Sequence, residues 1–229
     1  MDGSARAQAR HVAVLGAAGG LGQGILSVCR EQKIDFTAIV RSRPERITNI
    51  PAASRVEIVT SLSDRAALKE AFSGADAVIA ALGVTATSQD QSASMATNMD
   101  TVEQAMIDAG VDRIVLINTL LTSLPGQPAS FLMRFFSGVP GRMGRGAKEQ
   151  QAVVDALGRG AFSSLRWTLV RAGLNPRGSD DPPAVSRDWP GAENSYKPVS
   201  YRSMGAWMLN EAVANQFVGC APLVSRRRN

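Results

Sequence analysis

Short apolar, β-branched runs recur along this chain between helix-length amphipathic segments, and that alternation limits the fold more than any other feature. The runs His11 to Leu15, Phe36 to Val40, Val56 to Val59, Ala77 to Ala81, Arg113 to Asn118 and Trp167 to Arg171 read as strands. Between them, Leu21 to Gln32, Asp64 to Phe72, Met95 to Ala109 and Lys148 to Leu157 read as helices, the third closed by Gly110. Strand, helix and strand in repeated succession are the pattern of an α/β protein with a doubly wound parallel sheet. A length of 229 residues suits one such domain and leaves too little chain for a second. The expected organisation is a flexible polar tail over 1–10, one domain over 11–224 and a basic tail over 225–229.

Composition excludes several classes. No apolar run reaches the roughly 20 residues that cross a bilayer, the mean hydropathy is −0.04, and Met1 to Arg10 lacks the apolar stretch of a secretory signal. A soluble protein of the cytoplasm, with no membrane partner, is the expectation. Cys29 and Cys220 fit neither a disulfide framework nor a zinc site, and no metal is expected. The net charge of +5 owes much to the terminal Arg226, Arg227 and Arg228, a pattern more common in solvated tails than in readers of nucleic acid. A positive field favours an anionic cofactor or substrate instead.

Two segments interrupt the rhythm. Thr119 to Gly146 carries the apolar cluster Phe131, Leu132, Met133, Phe135 and Phe136, readable either as a core-packing helix or as a substrate wall. Asn175 to Pro198 contains Pro176, Pro182, Pro183, Pro190 and Pro198 and has no clear period. Both follow strand ends on the side where open α/β sheets bind ligands, so both are expected to act as lids or binding loops.

The first strand runs directly into Gly16-Ala17-Ala18-Gly19-Gly20-Leu21-Gly22 and then into a helix. Gly16 permits a tight exit from the strand, Gly19 leaves room for a pyrophosphate, and Gly22 lets helix and sheet approach closely. The helix N-terminus offers N–H groups and a partial positive charge to phosphates, so this is read as a dinucleotide-binding turn. About 20 residues further on, the end of the second strand meets the adenine ribose. It carries Arg41, Ser42 and Arg43 in place of the acidic residue that NAD requires. Two guanidinium groups suit the 2′-phosphate of NADP(H), the alternative being a solvated basic loop.

The turn GAAGGLG, the strand ending AIVRSR, and the runs GADAVIAALG (Gly74 to Gly83), AGVDRIVLIN (Ala109 to Asn118) and RWTLVRAGLNP (Arg166 to Pro176) resemble the atypical short-chain dehydrogenase/reductase superfamily. Within it the chain is similar to the NAD(P)H-binding group of flavin reductase/biliverdin-IXβ reductase, with NmrA-like and isoflavone-reductase-like proteins nearby. The segment KPVSYRSMGAWML (Lys197 to Leu209) resembles that group's approach to its last long helix. The resemblance implies a Rossmann fold, bound NADPH and hydride transfer to a small planar acceptor. It implies that Gly83, Ala172 and Gly173 lie near the nicotinamide half, that Ala81 and Leu82 also contact the cofactor, and that Ser61 and Leu62 lie near adenine, where Ser61 replaces the family's usual Asp.

The Tyr-x-x-x-Lys pair of ordinary short-chain reductases is absent, since neither Tyr196 nor Tyr201 has a lysine at that spacing. The sole histidine, His11, opens the first strand and is expected at the end of the sheet opposite the cofactor. By resemblance, Thr119 occupies the place of a serine near the nicotinamide, and Lys148, read as the start of its helix, that of the catalytic lysine of isoflavone-reductase-like proteins. Both residues are therefore expected to touch cofactor as well as substrate. A cation at a helix start is opposed by the helix dipole, which favours a special role. The expected function is an NADPH-dependent reductase acting on a conjugated small molecule, as a monomer or homodimer. A non-catalytic NADP(H) sensor and a redox-neutral isomerase or epimerase stay open as alternatives.

Overall fold

The computed structural model describes residues 10–82, 94–188 and 190–228. Strands β1 (His11–Leu15), β2 (Asp35–Val40), β3 (Arg55–Ile58), β4 (Ala77–Ala80), β5 (Arg113–Thr119) and β6 (Arg166–Ala172) build most of one sheet. After β7 (Leu174–Ser179), which bridges to Val199 outside the sheet, β8 (Ala184–Ser186) and β9 (Leu223–Ser225) extend it. The order β3-β2-β1-β4-β5-β6-β9-β8 is parallel except for β8 against β9. Strand order therefore reverses between β1 and β4, the switch point at which open α/β sheets hold ligands. This is a single α/β domain of Rossmann type.

Both faces of the central strands are covered, so β1, β2 and β4 are almost wholly buried and successive residues serve opposite cores. Val12 and Val14 of β1 face helices α1 (Gly20–Gln32) and α6 (Tyr201–Ala214), packing near Leu21, Ile25, Met204 and Met208. Ala13 and Leu15 face the other way, toward α2 (Arg65–Phe72), α3 (Met95–Asp108) and α5 (Arg142–Gly158), through Leu68, Met99, Val102 and Val154. Side-chain oxygens of Asp64, Ser94 and Ser200 cap α2, α3 and α6 respectively.

A buried ion pair crosses the second half of the sheet. Arg113 on β5 reaches Glu211 on α6 at 2.8 Å, with both side chains 1 % exposed. The guanidinium also donates to Thr168 Oγ1 and to the carbonyls of Glu211, Arg166 and Ile114. The Glu211 carboxylate accepts from the backbone N–H of Gln216 and Phe217. Burial lowers the Arg113 pKa to about 10, with Glu211 opposing the shift.

The structure departs from the sequence reading at several points. Helix α5 begins at Arg142, so Lys148 lies in its second turn and the argument from an opposing dipole at a helix start does not apply. Gly144 and Gly146 lie within this helix, and a Cβ on Gly144 would clash with the Val139 carbonyl oxygen. The stretch 225–229 is not a solvated tail as far as Arg228. Ser225 belongs to β9, and the backbones of Arg226 and Arg228 donate to Lys197 and Glu193. The phenylalanine cluster forms helix α4 (Phe131–Gly138), but Met133 is its sole buried residue, so it is not a core helix. The proline-rich segment after Asn175 contains most of β7 and all of β8.

Candidate dinucleotide site

The phosphate turn sits at the C-terminal end of β1, at the switch point. Gly16 has φ +80°, and a Cβ there would come within 2.9 Å of the Ala81 carbonyl oxygen, so both backbone conformation and packing require glycine. Gly16 N–H donates to Ile39 and Gly19 N–H to Gly16, which closes the turn. Gly19 and Gly20 are exposed at its apex. Gly19 is the N-cap of α1 and supplies no side-chain acceptor, and the first turn holds no acidic residue, so the positive end of the helix is left to an anion. Gly22 packs against the turn itself, its hypothetical Cβ lying 2.4 Å from the Gly16 oxygen. Gly20 answers to a different neighbour: the ring of Tyr201, at the start of α6, occupies the space a Cβ would need.

Beside the turn opens a cavity of about 300 Å³. Its polar wall is Arg41, Ser42, Arg43 and Arg46; its apolar wall includes Ile39, Val59, Leu62 and Leu82. The structure brings together Gly16, Ala18, Gly19, Arg41, Ser42, Arg43, Leu62, Ala81 and Leu82 around this cavity, with Ala17, Gly20, Leu21 and Gly22 forming the turn behind them. Ser61 does not line the cavity: its hydroxyl contacts Ser63 Oγ at 2.7 Å, and Thr60 takes its place on the wall.

Arg46 was not foreseen, because it lies past Pro44 and outside any motif spacing. Arg43 adopts φ +61°, a left-handed conformation unusual for a non-glycine residue, and a short 3-10 turn over Pro44–Arg46 follows. That reversal returns Arg46 to the cavity beside Arg41 and Arg43. Gln23 was also missed; its amide donates to the carbonyls of Ala17 and Arg46, tying the phosphate turn to the arginine loop. An apolar slot with a cationic rim next to an uncapped helix N-terminus fits the adenosine and phosphates of a dinucleotide.

The remaining residues named from the sequence lie at the ends of β5 and β6. Thr119 and Ala172 are paired in register, and Gly173 follows against Leu120. Gln150 fixes α5 to this end of β5: its side chain accepts from Thr119 N–H and its carbonyl from Asn118 Nδ2. Glu149 accepts from Ser94 Oγ and from Ala96 N–H at the start of α3. Lys148 is therefore carried on a segment pinned at the same end of the sheet as Thr119, with its own side chain exposed. Gly83 lies outside the described residues.

His11 begins β1 at the opposite end of the sheet and contacts Thr37 Oγ1 at 2.9 Å. Burial, with Arg55 adding to it, holds its pKa below the ordinary value. Cys29 is buried, which pushes its thiol up to about 12. Among the described residues no His/Cys/Asp/Glu cluster could hold a metal ion, and no helix is long and apolar enough to cross a membrane.

A family model described as NAD(P)H-binding matches residues 16–210, from the phosphate turn into α6. The chain belongs to the NAD(P)H-binding family. No curated protein matches it in sequence. Among solved structures the fold is similar to a candidate epimerase from Bacteroides thetaiotaomicron, with TM-score 0.77, 19% identity, and coverage of 97% of this chain and 99% of the other. A candidate NADH-flavin reductase from Streptococcus pneumoniae gives 0.71 at 20% identity, covering 95% and 99%. A short-chain dehydrogenase/reductase from Veillonella parvula in complex with NADP gives 0.66 at 16%, covering 96% and 95%. At these identities the likeness concerns the fold.

Proposed function

We propose that this member of the NAD(P)H-binding family is an NADPH-dependent reductase acting on a small conjugated acceptor, flavin-like or related. The observation that carries the cofactor choice is the cationic rim of Arg41, Arg43 and Arg46 with Ser42 at the end of β2. Guanidinium groups match the geometry and charge of a 2′-phosphate, and the left-handed turn at Arg43 gathers three of them on one rim. NADPH should bind more tightly than NADH, and Arg41→Asp should weaken NADPH by about 2 kcal/mol while changing NADH less. Titration calorimetry of the unmodified protein and this variant tests the reading; equal affinities for the two cofactors would refute it.

When bound, the reduced nicotinamide supplies the hydride. The chain's part is to seat it: the phosphate turn and arginine rim fix one half, and Ala172 and Gly173 with Thr119 border the other. Negative charge building on the acceptor calls for a proton donor or a nearby cation. Thr119 orients the acceptor in this reading and Lys148 is the donor, its helix held to β5 through Gln150. Lys148→Ala is expected to reduce turnover about 100-fold with cofactor affinity kept, and Lys148→Arg to keep charge stabilisation but lose proton delivery. NADPH oxidation assayed over a panel of flavins and other conjugated acceptors is the measurement. Unchanged turnover in both variants would leave Thr119 or solvent as the donor.

A further inference from the structure

Helix α4 presents an apolar surface that the described residues leave uncovered. Phe131 is 80% exposed, Phe135 61% and Leu132 49%, and Met143, on the first turn of α5, is 59% exposed. At about 100° per residue, Phe131, Phe135 and Leu132 fall within an arc of roughly 100°, facing away from the buried Met133. Exposed Arg134 flanks that arc. The sequence from Thr119 to Lys148 contains no Asp or Glu, while it carries Arg134, Arg142, Arg145 and Lys148. Apolar residues framed by cations alone are the composition of helices that lie in a lipid interface.

The charge pattern discriminates among occupants. A small-molecule pocket would enclose its walls, whereas a phenylalanine at 80% exposure has almost nothing around it. A second copy meeting this face about a two-fold axis would set the same arginine-rich segment against itself, and the segment has no carboxylate to answer them. An anionic bilayer satisfies both features, with acyl chains receiving Phe131, Leu132, Phe135 and Met143 and headgroup phosphates receiving Arg134 and Arg145.

We propose that α4 and the start of α5 form a docking face for an anionic lipid surface, on which the protein sits peripherally. The sequence expectation of no membrane partner rested on the absence of a spanning run, which bears on crossing a bilayer and not on lying against one. The proposal is independent of the reductase reading, since lipid binding is measured without turnover.

Co-sedimentation with vesicles of phosphatidylcholine containing phosphatidylglycerol, against vesicles of phosphatidylcholine alone, tests it. The full chain should sediment with the anionic vesicles and be released by salt. Phe131→Ser with Phe135→Ser should weaken partitioning at least about tenfold, and Arg134→Glu with Arg145→Glu by a similar factor. NADPH affinity should stay unchanged in both, as a check that the altered chains are folded. Phe131→Trp keeps the face apolar, and its added fluorescence should shift to the blue on anionic vesicles and be quenched by brominated lipid. The proposal is overturned if the full chain stays in the supernatant at every phosphatidylglycerol content, or if the serine pair binds as well as the unmodified chain. It is equally overturned if sedimentation velocity finds a dimer that the serine pair abolishes, which would make the face an interface between copies.

Discussion

Replacing Glu211 with alanine is expected to lower the unfolding free energy by about 3–5 kcal/mol, a large share of the margin of a domain this size. The cost comes from what is left behind. Arg113 would keep its position between β5 and α6, 1 % exposed, with its countercharge gone. Burial already holds its pKa down to about 10 even with Glu211 present. The N–H groups of Gln216 and Phe217 would also lose their acceptor, loosening the connection from α6 to β9. Equilibrium denaturation in urea measures the loss. Replacing the pair together, Arg113→Met with Glu211→Leu, should recover most of it, because no uncompensated charge then remains. A Glu211→Ala protein within about 1 kcal/mol of the parent would show that water or backbone carbonyls satisfy Arg113 unaided.

The parts of this fold legible in the sequence are those set by local chemistry. β1, β2, β4, β5 and β6 are largely apolar runs buried on both faces, and the glycine turn is bounded by a strand and a helix, so the sequence pattern locates them. β8 and β9 are three residues each, close to Pro183 and Pro222, and exist because they pair with each other and with β6. Such edge strands leave no period to read. The start of α5 was hidden for a different reason. Gly141, Gly144 and Gly146 suggest flexibility, yet Gly144 is glycine because the Val139 carbonyl oxygen crowds it where the chain turns from α4 into α5, a steric contact that helix propensity does not register. Arg46 was illegible because the reversal at Arg43 that returns it to the cavity requires a left-handed residue that sequence would assign to glycine or asparagine. Thr119 and Lys148 were reached by resemblance. Their common location depends on Gln150, whose two bonds to the end of β5 have no sequence signature.

Gly19→Val is expected to remove dinucleotide binding while leaving the fold in place, a separation that neighbouring glycines cannot provide. The backbone of Gly19 is extended, with φ −76° and ψ 169°, a region open to a β-branched residue. An added Cβ meets just one atom, the Gly16 carbonyl oxygen at 3.2 Å, which needs a shift of a few tenths of an ångström. The valine methyl groups then project at the exposed apex, over the uncapped start of α1 where the pyrophosphate is expected. Displacing it from two backbone donors, each worth about 1.5–3 kcal/mol to a charged acceptor, costs about 3–6 kcal/mol, or roughly 10²–10⁴-fold in affinity. Gly22→Ala behaves differently, because its Cβ would lie 2.4 Å from the Gly16 oxygen and 2.6 Å from Ala17 Cα, backbone atoms with nowhere to move. That variant should lose thermal stability along with binding. Calorimetry with NADPH, paired with circular dichroism melts, separates the two outcomes. If Gly19→Val binds with undiminished affinity, the phosphates do not cross the apex of this turn, and the arginine rim would have to belong to a ligand held from the cavity side alone.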